Sequence, residues 1–234
     1  MKNKNPVVDY RKLRINNICS SEYRHLLWLI YWGVFGVMFY YAEHYYPVKE
    51  YLSVYCIIDD YIPFCELFVI PYMFWFVFLL GIHVYTLFYD IDAFRKLIKY
   101  IVITYTAALV LFFIIPTCQE LRPDEFARDN FLVRFMQGFY EFDTNTNVCP
   151  SLHVIGSMAV LSSALNIERF KTVPWRLFFI ISAVLISIST VFLKQHSIID
   201  VIVAIPICAL AYIACYRNSA TAEVRKVRQV ITNE

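Results

Sequence analysis

Apolar residues in this chain come in long runs, and the polar residues between them fall in short stretches with the marks of turns. A helix needs about 20 mostly apolar residues to cross the hydrocarbon core of a bilayer. Six runs approach that length, at about 25–42, 67–89, 97–115, 151–166, 175–193 and 197–215. Their boundaries carry stop and start signals. Asp59-Asp60-Tyr61-Ile62-Pro63 precedes the second run, Pro116 stops the third, and Pro174 opens the fifth at a position where its missing N–H costs nothing. The fourth run is short, and the sixth contains Asp200. The pattern predicts an all-α integral membrane protein, a bundle of six transmembrane helices over 25–215. A polar N-terminal tail over 1–24 and a polar C-terminal tail over 216–234 flank it. No internal repeat or Gly/Ser linker divides the chain.

Composition supports lipid as the solvent. Hydrophobic residues make up 59% and charged residues 17%, against about 25% charged in ordinary soluble domains. The 20 Phe and 18 Tyr suit lipid-facing surfaces and interfacial belts. A net charge of +2 is too small to point to a nucleic-acid partner. The first apolar run ends in Tyr40-Tyr41-Ala42-Glu43, which is no cleavage site, so no cleavable leader is expected. Seven cysteines show no CxxC or zinc spacing; Cys118 and Cys149 flank one loop, and a bridge between them stays open. The oligomeric state is not legible.

Lys and Arg in the connecting segments orient a membrane protein. With six spans, both tails, the loop near 90–99 and the loop near 166–176 share one side, and sixteen of the 21 Lys and Arg lie there. Lys49, Arg122, Arg128, Arg134 and Lys194 lie on the other. Both termini are therefore expected in the cytoplasm of a multi-pass protein of the cell membrane. The 116–149 loop and the 193–197 turn are expected to face outward. This puts Arg122, His153 and His196, far apart in sequence, on one side of the bilayer.

These residues carry the candidate chemistry. His196 and Asp200 stand at i, i+4, one helix face. A carboxylate on one ring nitrogen fixes the tautomer and leaves the other with a free lone pair, which a nucleophilic histidine requires. The plain alternative is a structural pair at a helix start. In Cys149-Pro150-Ser151-Leu152-His153, the proline marks a helix start, Ser151 offers a cap, and the free N–H groups there suit an anion. His153, one turn in, is placed to give a proton to a leaving oxygen; the plain alternative is a capped helix with an interfacial histidine. Arg122 can grip phosphate oxygens in pairs, although a lone loop arginine is usually a solvated charge. Asp143 and Asn147, just upstream of Pro150, are placed to help shape such a site; Glu66, near the outer boundary, is placed to touch a headgroup; and His83 reads as structural.

Taken together, Arg122-Pro123, Pro150-Ser151-x-His153 and Ser189…His196-x3-Asp200 resemble the three motifs of the type 2 phosphatidic acid phosphatase and vanadium haloperoxidase superfamily. The resemblance covers about 60–215 and includes the six-helix arrangement. Two positions depart from it: Ile115 stands where the family has Lys, and Thr190 where it has Arg. Lys194 is a candidate to supply one cation back. An intact Pro-Ser-Leu-His with a relaxed third motif is also similar to the inositol phosphorylceramide synthase branch.

The resemblance implies a catalytic set of His153, His196 and Asp200, with Arg122, Ser151 and Lys194 on the substrate phosphate. His196 would become phosphohistidine, Asp200 would orient it, and His153 would act as acid and then base. It implies no cofactor and no metal, and a membrane lipid phosphate or diphosphate as substrate. Three readings remain: a lipid phosphatase using water, a phosphotransferase moving a phospho-headgroup to an alcohol, and a non-catalytic scaffold or transporter.

Overall fold

A computed structural model describes residues 6–217. It is an all-α bundle, as the apolar runs predict. Helix α1 (Ile30–His44) is entered through a 3₁₀ segment from Arg24, and a short α2 (Ile58–Tyr61) follows on the loop after it. Then come α3 (Val69–Tyr89), entered through Glu66–Phe68, α4 (Ile91–Ile114), α5 (Phe131–Phe142), α6 (Leu152–Asn166), α7 (Val173–Phe192) and α8 (Ile198–Tyr212), which runs on to Arg217. Among the described residues five segments, Arg24–His44, Glu66–Tyr89, Ile91–Ile114, Val173–Phe192 and Ile198–Arg217, are long and apolar enough to cross a bilayer. Helix α6 is the short fourth run, and it is the most enclosed.

Helix α6 is central because its residues are small. Gly156, Ser157, Ala159, Ser162, Ser163 and Ala164 are buried along it. Small residues let neighbouring helices approach closely, which is how packing is won in lipid. Helices α3, α4, α7 and α8 all contact α6. The core closes with Leu97, Ile101 and Tyr105 of α4, Ile155 and Val160 of α6, Ile186 of α7 and Ala204 of α8.

Short polar devices position the loops at the end of the bundle that holds the histidines. Leu52–Ser53 (β1) pairs in parallel with Thr117–Cys118 (β2). Glu43, at the end of α1, accepts hydrogen bonds from the hydroxyls of Thr144 and Thr146 and, at 2.7 Å, from the side-chain amide of Asn147. Asn147 itself is in the left-handed region (φ 49°), which asparagine tolerates better than most residues. Cys118 and Cys149 are both free thiols.

The predicted N-terminal tail packs on the opposite end of the bundle. The Tyr10 hydroxyl is 2.7 Å from His25 Nε2 and donates to the Leu87 carbonyl at 2.8 Å. Residues 1–5 and 218–234, the latter most of the predicted C-terminal tail, lie outside the described residues. Tyr216, read from sequence as tail, is buried in the core.

Candidate active site

The α7–α8 junction presents His196. Lys194, in the left-handed region (φ 52°), reverses the chain, and the N–H groups of Gln195 and His196 both bond to the Thr190 carbonyl. Ser197 then caps α8, with Asp200 at its third position completing a capping box. His196 Nδ1 lies 3.0 Å from Asp200 Oδ2, and the same oxygen accepts the Ser197 N–H at 3.0 Å. With Nδ1 as donor to the carboxylate, Nε2 holds the lone pair, and no protein hydrogen bond falls on it among the described residues.

His153 arrives from the start of α6. The Ser151 hydroxyl caps the helix at Val154 N–H, and the Ser151 N–H bonds to the Asp200 carbonyl at 3.3 Å. That bond ties the two histidine-bearing helix starts together. The imidazole centroids of His153 and His196 are 6.1 Å apart. His153 Nε2 is buried with no hydrogen-bond partner among the described residues, and buried polar atoms without partners are rare enough to require a reason.

Five further side chains surround the pair. Tyr72 stacks on His153 with centroids 4.2 Å apart, and Trp75 lies against it at 4.5 Å. The Tyr72 hydroxyl donates to Asp143 Oδ2 at 2.9 Å, and the Gln195 amide donates to the same oxygen at 3.1 Å. Arg122 donates to the carbonyls of Tyr140 (2.9 Å) and Asp143 (2.5 Å) and to Gln195 Oε1 (2.7 Å), with its charge 4.4 Å from the centre of the Tyr140 ring. Its Nε is buried and has no hydrogen-bond partner among the described residues. Burial pushes the Asp143 carboxyl above its usual range and the Arg122 guanidinium below its own, while their mutual attraction opposes both shifts.

Five of the six candidates thus meet in one network: His153, His196, Asp200, Ser151 and, through Gln195 and Asp143, Arg122. Lys194 does not join it. Its ammonium donates to the Asp59 carbonyl at 2.7 Å and lines a separate cavity of about 500 Å³ with Asp59, Asp60, Glu120 and Pro123. Asp59 also holds the α8 start, accepting from the Ser197 hydroxyl (2.6 Å) and the Ile198 N–H (2.9 Å).

Of the side residues, Asp143 enters the network. Asn147 and Glu66 serve as loop ties, Glu66 accepting from Arg128 and Asn130 at 3.1 and 3.0 Å. His83 bonds the Leu79 carbonyl within its own helix. Sequence reasoning missed Tyr72, Trp75, Gln195 and Asp59. The aromatics look like any others in a lipid-facing span, and Gln195 offered only its place beside His196.

A family model described as PAP2 superfamily matches residues 96–223, more than half of the chain, and that stretch contains all six candidates. No curated protein and no solved structure matches the chain.

Proposed function

The chain belongs to the PAP2 superfamily, and on that premise we propose that it is a membrane lipid phosphatase working through a phosphohistidine. The family supports phosphoric-ester hydrolysis on lipid phosphates in general terms, and the multi-pass helical bundle supplies the bilayer setting. The observation that carries the finer reading is the convergence of two imidazoles, 6.1 Å apart, one oriented by a carboxylate and the other holding an unpartnered nitrogen.

In the proposed first step His196 Nε2 attacks phosphorus, forming a P–N bond as the P–O bond to the lipid breaks. Asp200 supports the cation that forms on His196. His153 gives its proton to the leaving alkoxide. In the second step His153 takes a proton from water, whose oxygen displaces His196 from phosphorus and releases phosphate. Arg122 turns part of its guanidinium from the carbonyls it now serves toward the phosphoryl oxygens, and Ser151 adds its hydroxyl. Lys194 would have to leave Asp59 to take part. The Lys and Arg bias supports cytoplasmic termini and a site on the opposite side of the bilayer; placement in the cell membrane is part of the proposal.

A second reading, transfer of a phospho-headgroup to an alcohol, is favoured by one observation. Ile115 and Thr190 occupy two positions where the family holds cations, and the Thr190 hydroxyl is spent on the Ser187 carbonyl.

Purified protein in detergent, assayed with chelator present, tests both. The phosphatase reading expects inorganic phosphate from a lipid phosphate, acid-labile label on the protein, and loss of both in His196→Ala. Headgroup exchange without free phosphate moves the assignment to the second reading. Release that survives His196→Ala overturns the mechanism.

A further inference from the structure

Helix α5 is not a span, yet it carries one phenylalanine after another: Phe131, Phe135, Phe139 and Phe142. At 100° per residue these four fall within one stripe. The rings run as a ladder, with successive centroids 6.5, 6.3 and 6.0 Å apart. A second stripe, Val133, Met136 and Tyr140, faces the bundle: Val133 and Met136 are buried, and the Tyr140 hydroxyl donates to the Leu193 carbonyl. A third stripe, Arg134, Gln137 and Glu141, is polar and exposed. An amphipathic helix of a soluble protein needs two faces. This one has a core face, a polar face and a separate apolar face on which only Phe139 turns inward: Phe131 is 74%, Phe135 39% and Phe142 81% exposed.

Its height in the molecule identifies what covers that face. Helix α5 rests on Glu66–Phe68, the first turn of one span, and on Leu193, the residue after the end of another. Arg128 and Asn130, just before it, bond Glu66. Helix α5, and with it the phenylalanine stripe, therefore lies beside the ends of two bilayer-crossing helices.

We infer that α5 is an interfacial helix whose Phe131, Phe135 and Phe142 insert among the acyl chains of the adjoining leaflet, while Arg134, Gln137 and Glu141 remain in water. Aromatic side chains at that depth are favoured, and a helix lying in the interface plane buries one apolar face and hydrates the other. The occupant is the bilayer itself. The stripe also leads inward. Phe139 meets Tyr72 edge-on at 5.6 Å, and Tyr72 stacks on His153, so the leaflet surface continues along aromatic rings to the candidate site.

The test reads depth and does not depend on any reaction. Phe135→Trp, Phe142→Trp and Gln137→Trp would each be placed in nanodiscs of ordinary phosphatidylcholine or of phosphatidylcholine brominated near the top of the acyl chains. Subtracting the unsubstituted protein leaves the emission of the added indole. The inference expects bromolipid to quench the two phenylalanine positions by about half or more and to leave position 137 nearly unquenched, since bromine quenches only at contact range and the polar face stays in water. Equal quenching at 135, 142 and 137, or none at 135 and 142, would overturn it. Two phenylalanine positions guard against one variant failing to fold.

Discussion

The Tyr72 ring lies 28° from parallel with the His153 imidazole, and its hydroxyl is held by the Asp143 carboxylate. The two histidines of the site thus each have a carboxylate, Asp200 by direct contact with His196 and Asp143 through an intervening ring. An imidazolium beside an aromatic face gains roughly 0.5–2 kcal/mol, and a phenol bonded to a carboxylate is a richer face. Tyr72→Phe keeps the ring and loses the hydroxyl; Tyr72→Leu loses both. Under the proposed mechanism kcat on an alkyl phosphate falls by up to roughly thirtyfold in the leucine variant, less in the phenylalanine variant. A nitrophenyl phosphate, whose leaving group needs no proton, shows a much smaller loss. Equal losses on both substrates would remove Tyr72 from any role through His153.

His153→Ala and His196→Ala separate on the same pair of substrates. Under the proposed mechanism His196→Ala removes the nucleophile and stops phosphate release from both. Loss of a general acid costs roughly 10²–10⁴-fold, and that loss is partly recovered on the nitrophenyl ester. Steady-state phosphate release in detergent reads both.

Gly156 has no room for a side chain. A Cβ there would stand 2.7 Å from Trp75 Nε1 and 2.8 Å from the Tyr105 hydroxyl, both deep in the bundle. Overpacking of this kind costs roughly 1–3 kcal/mol. Because Trp75 lies against His153, Gly156→Ala is expected to lower the melting temperature in detergent and kcat together. Ser157→Ala, its buried neighbour, is the control and leaves kcat within about threefold.

Asp143 gives stability a pH dependence. Burial raises its carboxyl in the folded state, so folding takes up a proton. The contribution is complete below the unfolded value, about 3.9, and is lost as pH rises through the folded value. Asp143→Asn does not titrate. The melting temperature of the variant minus that of the unsubstituted protein should therefore grow more positive from pH 4 to pH 8. A flat difference would mean that the carboxyl is not held above its ordinary range.

Cys149 offers a chemical check on enclosure at the same place. Burial, with the Asp200 charge nearby, pushes its thiol up to about 12, so at pH 8 roughly one molecule in 10⁴ carries the thiolate that reacts. In native membranes at pH 8 iodoacetamide should label exposed Cys19 and spare Cys149, and mass spectrometry after denaturation should find Cys149 unmodified. Fast labelling of Cys149 would mean that the loop before Pro150 opens.

Much of this was readable from one dimension. The six apolar runs coincide with observed helices, the third starting six residues late because Asp92, Arg95 and Lys96 break its apolar pattern, since lipid demands length and composition, both local properties. His196 and Asp200 were legible as a pair because helical spacing alone brings them together. Arg122 was legible as a candidate and not as a geometry, since its partners, Tyr140 and Asp143 on one side and Gln195 on the other, come from two separate segments of the chain. Tyr72 and Trp75 were invisible among twenty phenylalanines and eighteen tyrosines, because a ring that stacks on an imidazole and a ring that faces lipid satisfy the same pattern. Lys194 shows the converse. Its position two residues before His196 suggested a phosphate ligand, whereas its left-handed backbone sends the side chain to the Asp59 carbonyl.

The clasp on Glu43 has a consequence for how the molecule could be divided. The family match begins at residue 96, past α1 and α3, and a cassette cut there would carry away both histidines, Asp200 and Arg122. It would leave behind Glu43, which fastens Thr144, Thr146 and Asn147, and Tyr72 and Trp75, which wall in His153. The proposed reacting groups are portable, but the frame that sets their height and spacing belongs to the first two spans. A chimera that swaps those spans should therefore inherit chemistry without alignment unless the glutamate and the two rings travel with it.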